Sequence, residues 1–182
     1  HLFCNSVDSN APKVKDATGY HRYDDERLHY FGPGFHDLRQ IFKDKDMLVL
    51  DNGWKVYVAA GAVLYGRIGL WGTQKGTKVY GRGMIYNDTQ NPHVVFEANE
   101  CQGADVEGVL MHAHRPGVWQ VVVNHCRNVE FKGVKILSTR YASTDGLDIV
   151  TCQQCAFLNI SFRANDDAIA TKGLQSRQPP QC

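Results

Sequence analysis

Three carboxylates in the last third of the chain have the residue type and spacing for proton-transfer chemistry. Asp145 stands alone, and Asp166 and Asp167 follow side by side (166 − 145 = 21 and 167 − 145 = 22). Their neighbours are Val, Ile, Leu, Phe and Ala, as in STDGLDIV and NDDAIATK, so the acids punctuate short apolar strands. Carboxylates held within ~4–6 Å of one another repel, and at least one is driven toward its protonated form. One protonated carboxyl beside one ionised carboxylate is the pair that glycosidic bond hydrolysis requires. Spacing alone leaves two other readings open: aspartates that shape turns, and a calcium site.

Whether these acids meet depends on the elements between them. Three segments align without gaps: CQGADVEGVLM from Cys101, CRNVEFKGVKI from Cys126 and CQQCAFLNISF from Cys152. Their starts differ by 126 − 101 = 25 and 152 − 126 = 26 residues. Each contains an apolar strand-like stretch (residues 106–111, 129–136 and 156–162), and a second set lies between them (118–123, 146–150 and 168–171). Gly, Asn, Asp and Pro mark the turns, and no helical period of useful length occurs. Short strands at this period predict a coil of β-structure that climbs one strand spacing, ~4.8 Å, per lap. Cys101, Cys126 and Cys152 then stack as an internal ladder of small groups. Superposing GLDIV on AIATK, an offset of 22, makes Asp145 and Asp167 neighbours on consecutive laps with Asp166 beside them.

With those residues in view, the stretch resembles the polygalacturonase family of glycoside hydrolases, whose motifs read Asn-Thr-Asp and then Asp-Asp about two strands later. Ser143-Thr144-Asp145 matches the first motif except for Ser in place of Asn, and Asn165-Asp166-Asp167 matches the second. The resemblance implies an all-β, right-handed parallel β-helix, incomplete at the C-terminal end, that hydrolyses a polysaccharide with inversion and without a cofactor. It also implies Asp166 as general acid, with Asp145 and Asp167 holding and activating water. Asp148 is expected to share Asp145's sheet face if side chains alternate, and so to contact sugar hydroxyls. Lys172 would meet a substrate carboxylate, or else is a solvated lysine. Trp119 opens a strand two laps before the acid pair and offers a sugar-stacking surface. His114, with His112, either lines the cleft or decorates a turn.

The family's later Gly-His-Gly and Arg-x-Lys motifs find no counterpart before Cys182. Upstream, HLFCNS followed by HYFGPGFHD and VYVAAGAVLYG is similar to the junction in dextranase and isopullulanase relatives, where a β-sandwich precedes the helix. Residues 1–26 are therefore expected to be a linker or the end of such a sandwich, and 27–182 the β-helix. The chain is expected to be a middle portion whose open solenoid end is covered by further chain, since natural solenoids carry caps.

The totals narrow the partners. Lys plus Arg (20) nearly cancels Asp plus Glu (19), so the net charge of +1 makes no electrostatic case for nucleic acid or an anionic membrane. No apolar run approaches the ~20 residues of a bilayer span. Six cysteines, with Asn87-Asp88-Thr89 and Asn159-Ile160-Ser161 as glycosylation acceptors, fit secretion. Cys152 and Cys155 form a CxxC with no second pair to complete a zinc site. Two other classes stand beside the hydrolase. One is a β-helical protein that binds carbohydrate or builds a surface without cleaving. The other is a polysaccharide lyase, which would need calcium and a basic residue, and Arg163 alone of the arginines sits beside the acids.

Overall fold

Four-residue strands with alternating burial are the unit of this molecule. Ala62–Tyr65, Met84–Asn87 and Val121–Asn124 each bury every second side chain. A unit this short cannot enclose a core, so it must stack on copies of itself. The computed structural model describes residues 8–88, 94–114 and 119–173. Its strands form three sheets. The first contains Leu28–Phe31, Lys55–Val58, Lys78–Gly81, Ala104–Glu107, Val129–Lys132 and Ala156–Leu158, with Tyr20–Tyr23 added antiparallel at one edge. The second runs through Gly34–Asp37, Ala62–Tyr65, Met84–Asn87, Leu110–Ala113, Lys135–Ser138 and Ser161–Arg163. The third runs through Met47–Leu50, Arg67–Trp71, Phe96–Asn99, Val121–Asn124, Leu147–Val150 and Ile169–Lys172.

Every lap visits the three sheets in that order, and each strand pairs in parallel with its equivalents one lap away, so the fold is a parallel β-helix. Leu64, Ile68, Phe96, Met111, Phe131 and Leu147 fill the interior the sheets share. The one helix among the described residues is a single turn, Leu38–Ile41, capped by the Asp37 side chain.

The apolar runs at 106–111, 129–136 and 156–162 differ from expectation in one respect. Each is two strands, not one. A left-handed corner at Gly108 (φ 78°), Gly133 (φ 63°) or Asn159 (φ 53°) passes the chain from the first sheet to the second. Both strands face the same interior, so the apolar pattern continues across the corner. The strand expected from residue 118 begins at Val121, and residue 118 itself lies outside the described residues. So do residues 1–7 of the expected linker and the expected open end at Cys182.

The cysteine ladder is internal. Cys101 and Cys126 are buried and Cys152 is half-buried. Each thiol donates to a carbonyl of the lap below: Leu70 O at 3.3 Å, Ala98 O at 3.4 Å and Val123 O at 3.3 Å.

How closely the laps approach is clearest at Gly81. Its φ is 130°, and an added Cβ would stand 2.0 Å from the Val58 carbonyl oxygen one lap below. Gly133 is also left-handed, but nothing lies within 4 Å of its missing Cβ. Gly81→Ala is therefore expected to destabilise by about 3 kcal/mol or more, and Gly133→Ala by only about 1–2 kcal/mol. Urea denaturation of the two variants beside the parent measures the difference.

Candidate active site

The loops that carry the chain from the second sheet to the third stack on one edge of the helix. Residues 139–146 and 164–168 occupy this position on consecutive laps. Hydrogen bonds fix their register. Gly146 N donates to Asp167 O at 2.8 Å and Leu147 N to Ala168 O at 3.1 Å. One lap earlier, Gln120 N donates to Asp145 O at 2.9 Å and Val121 N to Gly146 O at 3.1 Å. The pairings of Val121 with Leu147, and of Leu147 with Ile169, continue the same alignment. Trp119, Asp145 and Asp167 thus hold equivalent places on three laps. The last step is short (169 − 147 = 22, against 147 − 121 = 26) because the chain advances 169 − 161 = 8 residues from Ser161 to Ile169 where it advances 147 − 135 = 12 from Lys135 to Leu147.

The two loops are stapled by side chains. Ser143 N donates to Asp166 Oδ2 at 3.0 Å, with Ser143 left-handed at φ 55°. Asn165 Nδ2 donates to Tyr141 O at 3.0 Å, and Asn165 N to Ser138 Oγ at 3.0 Å. The buried Thr144 hydroxyl lies 2.5 Å from Tyr141 O. Because the donor to Asp166 is the main chain of residue 143, this contact does not depend on whether Ser or Asn stands there. Asp166 and Asp167 are exposed, while Asp145, on the preceding lap, is buried.

Lys172 ties the lower part of the site together. Its Nζ donates to Asp148 Oδ1, sits 3.5 Å from Asp145 Oδ2 and lies 3.5 Å from the centroid of the Trp119 ring. A cation over an indole contributes about 0.5–2 kcal/mol. Lys172 is therefore a pinned residue, and one face of Trp119 is occupied by its ammonium. Asp148, expected at sugar hydroxyls, has no exposed surface and is held by Lys172. Simple alternation would put Asp145 and Asp148, three residues apart, on opposite faces. The bend at Gly146 brings both to the same lysine.

His114 is exposed and packs edge-on against His112, 6.1 Å between ring centroids. His112 is held by donating from Nδ1 to Leu137 O at 2.8 Å. Both histidines line an open groove of about 560 Å³ with Thr139, Arg140, Tyr141 and Arg163, beside the acid loops. Sequence reasoning missed Arg140 and Tyr141, which lie in an aperiodic loop with no motif to flag them. Among the described residues, no three His, Cys, Asp or Glu side chains are grouped to hold a metal ion.

Burial pushes the Asp148 carboxyl above its ordinary pKa, opposed by Lys172 and reinforced by Asp145. Its Oδ2 has no hydrogen-bond partner. Below the unfolded value, about 3.9, both states hold the proton and ionisation adds no penalty. As pH rises through that value and then through the raised folded value, the folded state loses stability. Asp148→Asn should remove this slope, so the stability of the variant minus that of the parent should grow from about pH 3 to pH 6 in urea titrations. Lys172→Met should cost about 1–3 kcal/mol in the parent, through the orphaned buried carboxylate, and clearly less in the Asp148→Asn background.

The family model for glycosyl hydrolases family 28 matches residues 36–177, which is 177 − 36 + 1 = 142 of the 182 residues. A solved structure from Parabacteroides merdae, provisionally described as a glycosyl hydrolase, superposes with a TM-score of 0.61 at 13% identity. The match covers 79% of this chain and 74% of that one, and at this identity it speaks for the β-helical fold alone. No curated protein matches the chain significantly.

Proposed function

Because the chain belongs to family 28 of the glycosyl hydrolases, we propose that it cleaves a glycosidic bond within a polysaccharide with inversion at the anomeric carbon, outside the cell. Membership carries the glycoside hydrolase activity. The two-carboxylate assignment is supported above all by the one-lap register that sets Asp145 and Asp167 on adjacent laps with Asp166 alongside.

In this reading Asp166 is the general acid. It stands on the exposed rim, its carboxyl oriented by the Ser143 amide, where a leaving oxygen can reach it. As the bond from the anomeric carbon to that oxygen breaks, the Asp166 proton passes to the oxygen. Asp145 and Asp167 hold a water on the opposite face of the sugar and take its proton as it attacks. Inversion needs room for that water, so acid and base stand ~6.5–9.5 Å apart in such enzymes. Lys172 places a positive charge beside Asp145 and fixes it from below. Secretion is supported by the acceptor Asn159-Ile160-Ser161, whose Asn159 is exposed at a left-handed corner.

The test is reducing-end release from pectate, dextran and pullulan by the parent and by Asp166→Asn. The variant should lose about 10²–10⁴-fold in rate. Proton NMR of the first product should show the anomer opposite to the bond cleaved. Equal release by both proteins removes Asp166 from the acid role, and a retained anomer removes inversion.

A further inference from the structure

Away from the acid loops, the outer face of the third sheet carries an aromatic that core packing does not explain. Trp71, the last residue of Arg67–Trp71, is 50% exposed, while Ile68 and Leu70 of the same strand are buried. By register it begins a column along the helix axis: Trp71, Asn99, Asn124, Val150 and Lys172. The neighbouring column reads Gly69, Glu97, Val122, Asp148 and Ala170. Trp71 therefore shares a face with the Asp148–Lys172 pair.

The indole leans back over this second column. Its Nε1 donates to Glu97 Oε1 at 2.8 Å, and that nitrogen lies 3.4 Å from where a Cβ of residue 69 would stand. The tight neighbour of residue 69 is Met47, whose Cε lies 2.9 Å from such a Cβ, so the ring rests in ordinary contact with the sheet and Glu97 fixes its edge. Between Trp71 and Lys172, Asn124 Nδ2 donates to Asn99 Oδ1 at 3.0 Å, giving a strip of amides on the same column. Half-exposed aromatic surface followed by amides suits a sugar chain, whose pyranose rings offer C–H faces and hydroxyl edges. The other outward aromatic series, Phe35, Tyr65, Tyr86 and His112 on the second sheet, has its rings packed on one another with centroids 5.6, 6.0 and 5.5 Å apart. Those rings cover one another's faces except at the end of the series, where Phe35 is 66% exposed with no amide column running on from it to Lys172.

We propose that Trp71 is a distal sugar-binding platform for the same polysaccharide, which runs along the outer face of the third sheet parallel to the helix axis. The path of the chain rests on the hydrolase reading above. Gly69 and Asp148 are three laps apart, or about 14 Å at ~4.8 Å per lap. An extended pyranose chain advances by close to one lap per residue, and Asp166 lies one lap beyond Asp148, so the stacked sugar lies about three to four units from the bond cleaved.

The experiment is affinity electrophoresis of the full chain in gels containing pectate, dextran or pullulan, beside the hydrolysis assay. Trp71→Ala should weaken retardation about tenfold, equivalent to about 1.4 kcal/mol, with the thermal midpoint unchanged. Trp71→Phe should restore most of it, and Asp166→Asn should be retarded like the parent. On cleaved substrates, Trp71→Ala should raise KM for long chains and leave kcat unchanged. Retardation that depends on Trp71 without any hydrolysis supports the platform and removes the hydrolase reading. Hydrolysis with Trp71→Ala retarded like the parent overturns the platform and leaves the hydrolase reading intact. A parent retarded by none of the three polysaccharides also overturns it.

Discussion

The constraint on which this molecule depends is that a strand of four residues satisfies its backbone only by pairing with the equivalent strand one lap above or below. Leu147–Val150 takes its partners from Val121–Asn124 and Ile169–Lys172. Side chains of equal position are thereby forced into columns at the strand spacing. The columns make the core: Phe131 and Phe157 stand one lap apart with ring centroids 5.4 Å apart, and Phe96 of the third sheet meets Phe131 edge-on across the interior at 5.6 Å. They also set Asp145 and Asp167 at equivalent places on adjacent laps, since loops anchored to stacked strands must themselves stack. One hydrogen-bonding rule serves both stability and the site.

The same rule creates a problem that the local chemistry answers. Stacked carboxylates repel, and burying one of them adds a desolvation cost. The fold separates these burdens. Asp166 and Asp167 stay at the exposed rim, where water screens them, and Asp145 and Asp148 sit lower with Lys172 between them. Lys172 is held in turn by the Trp119 ring, which comes from two laps earlier. A lysine, an indole and two acids from three successive laps form one unit because their columns adjoin.

Much of this was legible in the sequence, for physical reasons. The lap period could be read because Cys101, Cys126 and Cys152 repeat with apolar stretches behind them, and stacking demands like residues at like positions. The 22-residue offset of the acids could be read because GLDIV and AIATK superpose as strands of one sheet. The corners at Gly108, Gly133 and Asn159 were hidden, because both strands flanking each corner face one interior and leave a single apolar run. The joining of Asp145 to Asp148 was expected from alternation, yet it comes from the bend at Gly146. The grip of Lys172 on Trp119 had no signal at all, since residues 53 positions apart (172 − 119) share no motif. The amide of Ser143 was equally invisible, because a main-chain donor leaves no mark on side-chain identity.

In the proposed reaction the stacked loops present Asp166 to a leaving oxygen while Asp145 and Asp167 present a water to the opposite face of the same sugar. The most direct measurement is a crystal structure of Asp166→Asn soaked with an oligosaccharide of whichever polysaccharide the parent cleaves. The glycosidic oxygen should lie within ~3 Å of the residue 166 side chain, with an ordered water shared by Asp145 and Asp167 across the ring. An oligosaccharide bound on another face, or a sugar whose water-facing side meets neither Asp145 nor Asp167, would contradict it.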